Sequence, residues 1–463
     1  MKKIKISIAT TFVVVNFCWF NTIAQVFQTT ASFPNARYAH CTAKSLNDKV
    51  LIFGGVIASG SSINSVYEYD PLLNSWAAKT SIPNAAGLSK STCVTLSNGN
   101  ILLFGGSENS SIAQSNKVFQ YNITSNSWSI ISNLPNSQGR EQMQSTLIND
   151  STVLLTGGLS TISSALNYPT TTYLYNTNTN TFTLVGNLPN GIINHTSTLL
   201  SNGEVLITGG FDGNAARNEA YVFNLQNGWR TLPATLSLAV SAHGALLLNS
   251  KVYIYGGFNI PLFQFSDKLD VYDPTIDDII PLNTGPLACS QFAMAPFNSS
   301  ILIAGGNMVL PNTSFGVTNE AYLYNTINNT FTAISNMPSS RSEMAVTELG
   351  NTGKYIFSGG HVTLSAPFND AIIYDANLTV GIVQQNLSNK TFLYPNPCEN
   401  ELNLKINSAD YLNTYEIYNS LGQIVISGQV KINNFSINTS ELSQGFYLIS
   451  INGKNHQRFQ VVR

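Results

Sequence analysis

Asn98-Gly99-Asn100-Ile101-Leu102-Leu103-Phe104-Gly105-Gly106 decides how this 463-residue chain folds. A turn-forming dipeptide leads into an unbroken apolar run, and a glycine pair closes it. Asn and Gly tolerate the positive φ that a two-residue hairpin needs, so the stretch predicts an antiparallel pair, residues 91–96 with 101–104. Working outward, a polar loop follows over 107–116 and a third strand over 117–121. Residues 122–126 turn, a fourth strand covers 128–131, and Leu134-Pro135 ends the unit. The unit reads as a four-stranded antiparallel meander.

The glycine pair recurs at Gly54-Gly55, Gly105-Gly106, Gly157-Gly158, Gly209-Gly210, Gly256-Gly257, Gly305-Gly306 and Gly359-Gly360, at intervals of 51, 52, 52, 47, 49 and 54 residues. A fixed period of this size marks a repeat architecture. Hairpin-turn residues recur as well, at Asn47-Asp48, Asn149-Asp150, Asn202-Gly203, Asn249-Ser250 and Asn298-Ser299. Each third strand ends in an aromatic followed by Asp or Asn: Tyr69-Asp70, Tyr121-Asn122, Tyr175-Asn176, Phe223-Asn224, Tyr272-Asp273, Tyr324-Asn325 and Tyr374-Asp375. A second large aromatic follows at Trp76, Trp128, Phe182, Trp229 and Phe331; the fifth unit has Ile279 there and the seventh has none.

These marks resemble the kelch repeat over roughly residues 26–378. The resemblance implies an all-β fold, a seven-bladed kelch-type β-propeller in which four-stranded blades ring a channel. The diglycines turn the chain where side chains would clash, and the Tyr and Trp fill the space between sheets. The seventh unit stops after its third strand, near Tyr374, whereas residues 27–32 with Phe33-Pro34 look like a fourth strand lacking its first three. The N-terminal strand is therefore expected to close the last blade.

A different pattern begins after a Gln/Asn/Ser-rich linker. It contains Leu393-Tyr394-Pro395-Asn396-Pro397, Leu421-Gly422-Gln423-Ile424-Val425 and Gly445-Phe446-Tyr447-Leu448-Ile449, and ends in Phe459-Gln460-Val461-Val462-Arg463. Short alternating strands with Gly turns predict a small C-terminal β-sandwich. The set resembles the C-terminal sorting domain of the type IX secretion system of Bacteroidota. That resemblance implies a second partner, the type IX machinery, acting through 392–463, and a secreted or outer-membrane-surface address. The alternative is an adhesive sandwich domain.

Lys2, Lys3 and Lys5 precede an apolar stretch at 6–20, and Thr22-Ile23-Ala24 offers small residues for a peptidase. The stretch falls short of the roughly 20 residues a membrane span needs, so it reads as a signal peptide. The expected plan is 1–24 signal peptide, 25–378 propeller, 379–391 linker and 392–463 sorting domain. Removing the leader leaves 19 of the 22 basic residues against 24 acidic ones, a net charge of −5, and no transmembrane segment. Charged residues make up only 10% of the chain. With no basic run beyond the leader, nucleic-acid binding is excluded. Cys41, Cys93, Cys289 and Cys398 share no close spacing. They are expected to be free and buried, with oxidation the alternative in an exported chain.

In propellers, ligands bind over the channel mouth. Polar groups fall between blades (Arg37, His40, Lys90, Arg140, Glu141, His195, His243, Arg341, Glu343) and after the diglycines (Glu108, Asp212, Arg217, Asp267, Glu320, His361). Arg37 with His40 also reads as a blade-to-blade hydrogen bond, and His40, His195 and His243 hold matched repeat positions, which points to matched structural jobs over a metal. No cofactor is implied. No phosphate loop, His-Glu-x-x-His or Gly-x-Ser-x-Gly motif occurs. Two enzyme families share the kelch propeller. Galactose oxidases need tyrosines and histidines around copper, with one tyrosine crosslinked to a cysteine, and Cys41, Cys93 and Cys289 match no such set. Sialic acid mutarotases would need an Arg for the carboxylate and a Glu for proton transfer, a role open to Arg140 with Glu141 or Arg341 with Glu343. The favoured reading is non-catalytic recognition of an extracellular glycan or protein, with Arg37, Arg140, Asp212, Arg217 and Arg341 as ligand residues. A mutarotase-type enzyme and a structural spacer in a surface assembly are the alternatives.

Overall fold

A computed structural model describes residues 26–45, 48–109, 113–310, 314–350, 352–375, 391–406, 413–419, 422–430, 434–451 and 455–463. The expected signal peptide, and the expected linker except for its last residue, lie outside these. The chain divides into two units, Met1–Val380 and Gly381–Arg463.

Among the described residues, the first unit holds seven four-stranded antiparallel sheets. One runs Cys41–Lys44, Val50–Phe53, Val66–Asp70, Ser75–Lys79, in sequence order from its inner to its outer edge. The inner strands neighbour one another in a closed ring, so that Cys41–Lys44 lies between Thr92–Thr95 and Ala345–Leu349. Each sheet is thus a blade of a β-propeller. The seventh blade takes Ala345–Leu349, Lys354–Ser358 and Ala371–Asp375 from the end of the repeat region and Val26–Thr29 from its start. Phe27 lies opposite Tyr374 in that antiparallel pair. The outer edge of Ala371–Asp375 is therefore paired rather than left as a template for another chain.

Sequence pattern explains the layering. Second strands such as Val50–Phe53 and Ile101–Phe104 are buried at every residue, because neighbouring blades cover both faces. The fourth strand Ser75–Lys79 mixes exposed and half-buried residues, with none buried. The repeated aromatics bind blade to blade. Tyr121 is fully buried and its hydroxyl donates to Asn126 Oδ1 at 2.7 Å. The same pair recurs as Tyr69 with Asn74, Tyr175 with Asn180, Tyr272 with Asp277 and Tyr324 with Asn329. Asn126 Oδ1 also accepts the Thr80 amide of the preceding blade. Trp128 lies 4.9 Å from the Tyr121 ring and 5.7 Å from Phe53 of the first blade, and its indole N–H donates to Thr80 O.

The diglycines sit where blades meet most closely. Gly157 has φ +62°, and a Cβ there would lie 2.2 Å from Ile192 O and 2.5 Å from His195 Cε1 of the next blade. No side chain fits, which is why the period is written in glycine.

Two expectations need correction. The segment after the diglycine is not a plain polar loop in every blade. Among the described residues, five blades fold it into a two-stranded ribbon, including Phe258–Asn259 with Gln264–Phe265 and Asn307–Val309 with Phe315–Val317. Cys41 and Cys93 are also not free: they form a disulfide with a Cα–Cα distance of 6.4 Å. The ring explains it. Residues 52 apart in sequence stand on adjacent inner strands, so near-equivalent repeat positions become spatial neighbours. Cys289 and Cys398 are buried free thiols.

The second unit has a three-stranded sheet, in the order Thr391–Tyr394, Glu401–Ile406, Asn434–Asn438. Its four-stranded sheet runs Ile424–Val430, Asn413–Tyr418, Gly445–Ile451, Asn455–Val461. Leu402, Leu404, Ile417, Ile437, Ile449 and Phe459 from both sheets share one core. The Arg463 guanidinium is tied to the carbonyls of Glu399, Thr439, Ser440 and Leu442. No described helix in either unit is long and apolar enough to cross a membrane.

Candidate functional site

The residue entering each inner strand builds the channel mouth. Ala39, Lys90, Gln142, Asn194, Ala242, Gln291 and Glu343 hold equivalent places in the seven blades, all left-handed, with φ between 50° and 56°. None is glycine, so each carries backbone strain of about 1 kcal/mol. Backbone hydrogen bonds from blade to blade hold them there. Lys90 N donates to Ala39 O, Gln142 N to Lys90 O, Ala242 N to Asn194 O, Gln291 N to Ala242 O and Glu343 N to Gln291 O, at 2.8–3.0 Å. The result is a collar around the mouth.

The expected ligand arginines are spent inside the blades. Arg37 is fully buried between Phe33 and Tyr67, 5.4 and 5.1 Å from the ring centres. It donates to Gly54 O at 2.7 Å and to Ser65 O and Oγ. Arg140 repeats this on Gly157 O, Thr171 O and Thr171 Oγ1, and Arg341 on Gly359 O with an ion pair to Asp370 at 3.0 Å. Each guanidinium thus satisfies the carbonyl of its own blade's diglycine. Burial lowers the Arg37 pKa to about 10. Arg37→Ala is expected to cost about 3 kcal/mol of folding stability by orphaning those carbonyls, read by chemical denaturation. A loss under about 1 kcal/mol would show that the guanidinium does not carry the blade.

Asp212 and Arg217 pair with each other at 2.6 Å. Asp212 also accepts the amides of Asn214 and Ala215, and Arg217 donates to Asn190. Glu141 is buried and pairs with Lys90 at 3.4 Å. Arg140 and Arg341 therefore do not meet a glutamate at a common open point. The matched histidines cross between blades: His40 Nε2 meets Ser358 Oγ at 2.8 Å, while His195 meets Thr156 and His243 meets Thr208, both at 2.9 Å. Burial, aided at His40 by the nearby Arg37 charge and at His195 by His243, lowers their pKa values to about 3, 3 and 4 for His40, His195 and His243.

A cavity of about 560 Å³ opens at the mouth beside blades five to seven. The collar residues Asn194, Ala242 and Gln291 line it, with Ser241, Ser290 and Asn307 beside them. Its walls are the ribbons: Phe258, Phe263, Phe265 and Phe315 form a cluster with ring centres 4.8–6.5 Å apart. Phe263 and Phe315 are 68% and 59% exposed. The lining residues carry no formal charge, and none of Arg37, Arg140, Asp212, Arg217 or Arg341 is among them. A search of the loops for charged groups passes over this place. The signal for it was the aromatic run Phe258-Asn259-Ile260-Pro261-Leu262-Phe263-Gln264-Phe265 directly after a diglycine. Two of the polar lining residues are anchored to a carboxylate outside the lining. Gln291 Nε2 donates to Glu343 Oε1 at 2.5 Å, Asn307 Nδ2 donates to Gln291 Oε1, and Glu343 Oε2 lies 3.7 Å from His361 Nε2.

Comparison with known proteins places the chain in a class. The family described as Attractin/LZTR1 β-propeller matches residues 7–264, more than half of the chain, and the chain belongs to it. The secretion system C-terminal sorting domain matches residues 392–462. That tail directs type IX export, to a secreted or cell-surface location. The chain is 24% identical over 177 residues to the Kelch repeat and BTB domain-containing protein 2 of Cowpox virus, covering 35% of this chain and 31% of that protein. It is 31% identical over 103 residues to Beta-scruin of Limulus polyphemus, covering 21% and 11%. The chain thus spans about a third or less of the length of these curated relatives. Among solved structures, a fungal alcohol oxidase of the AA5 family in complex with copper matches with a TM-score of 0.60 at 12% identity, over 95% of this chain and 100% of that one. This likeness is one of fold.

Proposed function

We propose that this exported kelch propeller is a non-catalytic recognition module that binds an extracellular glycan in the cavity at its channel mouth. The observation carrying the reading is the composition of that cavity: clustered phenylalanines facing amides and hydroxyls, with no charged residue among those that line it. Sugars have apolar C–H faces and hydroxyl edges, and a concave site with aromatic walls and a few polar groups suits both. The two exposed rings, Phe263 and Phe315, supply area at little entropic cost. The fold is shared with a copper alcohol oxidase, but the donors here do not fit such a centre. Among the described residues no three of His, Cys, Asp and Glu come together to hold a metal, and three histidines are engaged by hydroxyls. No step through copper is proposed.

The test is isothermal titration of the purified protein against neutral and acidic oligosaccharides. Binding that weakens about tenfold, or about 1.4 kcal/mol, in both Phe263→Ala and Phe315→Ala is the expected result. Saccharide binding untouched by either change would place the site elsewhere.

A further inference from the structure

We infer that Glu343 sets the hydrogen-bond polarity of the cavity, so that the site selects neutral sugars presenting hydroxyl hydrogens. The inference rests on the glycan reading above. Glu343 and Gln291 occupy neighbouring collar positions, at the entries to blades seven and six, where backbone bonds from Glu343 N to Gln291 O and from Gln291 N to Ala242 O fix them. A carboxylate only accepts hydrogen bonds, whereas an amide has a donor end and an acceptor end. Gln291 Nε2 is therefore held against Glu343 Oε1, and Gln291 Oε1 must face the other way. There it meets Asn307 Nδ2, which orients the second amide in turn. Asn307 gives one of its two Nδ2 hydrogens to Gln291, which pins the amide and leaves Oδ1 as an acceptor among the groups lining the cavity. A flip of Gln291 would set oxygen against carboxylate at one end and nitrogen against nitrogen at the other, so the chain of amides has one direction.

Two consequences follow for the ligand. The edge of the cavity formed by Asn307 asks for a donor, which a sugar hydroxyl supplies and a fluorine or ether oxygen does not. The Glu343 carboxylate stands one amide behind that edge, so uronic and sialic acids meet like charge. Glu343 is a positioning residue here, since it reaches the ligand only through Gln291.

The experiment measures ratios of affinity, which a general loss of stability does not move. The full protein is titrated with maltohexaose, cellohexaose, laminarihexaose and xylohexaose, with sialyllactose and oligogalacturonate as acidic probes. Monodeoxyfluoro analogues of the best neutral ligand are then titrated, one hydroxyl at a time. The wild type is expected to prefer the parent sugar over the fluoro analogue about tenfold at one hydroxyl at least. In Glu343→Gln the anchor can present either end of an amide, Gln291 and Asn307 are free to turn, and the preference is expected to fall to about threefold or less while Phe263-dependent binding persists. Phe263→Ala reads the cavity itself and weakens every ligand alike. A preference unchanged in Glu343→Gln, or acidic probes bound as tightly as neutral ones, overturns the polarity alone. Failure of every saccharide to bind overturns the glycan reading and this inference with it.

Discussion

Lowering the pH from about 7.5 to about 5 is expected to remove about 6 kcal/mol of folding stability, through three histidines. His40, His195 and His243 have folded pKa values of about 3, 3 and 4, against 6.5 for the free side chain. Because the folded values are depressed, the unfolded chain binds protons first. The stability is fully present above pH 6.5 and drains away as pH falls through about 4 for His243 and about 3 for His40 and His195. Each histidine contributes about 1.4 kcal/mol per pH unit in that window, hence about 2 kcal/mol at pH 5. Geometry supplies the cause. Each Nε2 is matched to a hydroxyl of the preceding blade, while each Nδ1 is buried with no partner. A neutral ring leaves a bare lone pair there; a charged ring would leave an orphaned donor. Guanidinium midpoints at pH 7.5, 6.5 and 5.5 test this, with His195→Gln expected to remove about one third of the slope. A midpoint that stays flat over that range would mean that the histidines protonate in the folded state.

Loss of the Cys41–Cys93 bridge is expected to cost about 4 kcal/mol, on a chain-entropy estimate for a 52-residue loop. The bridge joins the inner strands of the first and second blades, and the first blade borders the seventh, where the two ends of the repeat region meet. It therefore shortens the open chain beside the place where the ring must close. The double variant Cys41→Ser/Cys93→Ser is the cleaner test, since one replacement leaves a reactive thiol. Its denaturation midpoint is expected to fall to that of the reduced wild type. Equal midpoints for the variant and the oxidised protein would show that the bridge does not stabilise the ring. Alkylation of the native oxidised protein is expected to modify neither Cys289 nor Cys398, both being buried.

The architecture was legible because it repeats. The diglycines, the aromatics that end the third strands and the orphan strand at residues 27–32 each recur or complete a count, and each has a physical cause that the structure displays. The site was not legible, for two reasons. Arg37, Arg140 and Arg341 look like ligand residues in a loop, yet their guanidinium groups cap diglycine carbonyls. Repeat position allows Arg37 a structural hydrogen bond but does not name the carbonyl it meets. The cavity is built from phenylalanines whose exposure comes from ribbon folding after the diglycine, and an apolar run in sequence reads as core. The disulfide escaped for a third reason: sequence distance hides the adjacency that a ring creates.

The collar of left-handed residues separates architecture from specificity. Five main-chain hydrogen bonds run between its seats, and the seven seats hold Ala, Lys, Gln, Asn, Ala, Gln and Glu at nearly the same φ. Each seat has met the same conformational requirement whichever side chain it bears. The mouth can accordingly be rewritten from seat to seat, as a combination lock is reset, while the main-chain bonds between seats stay the same.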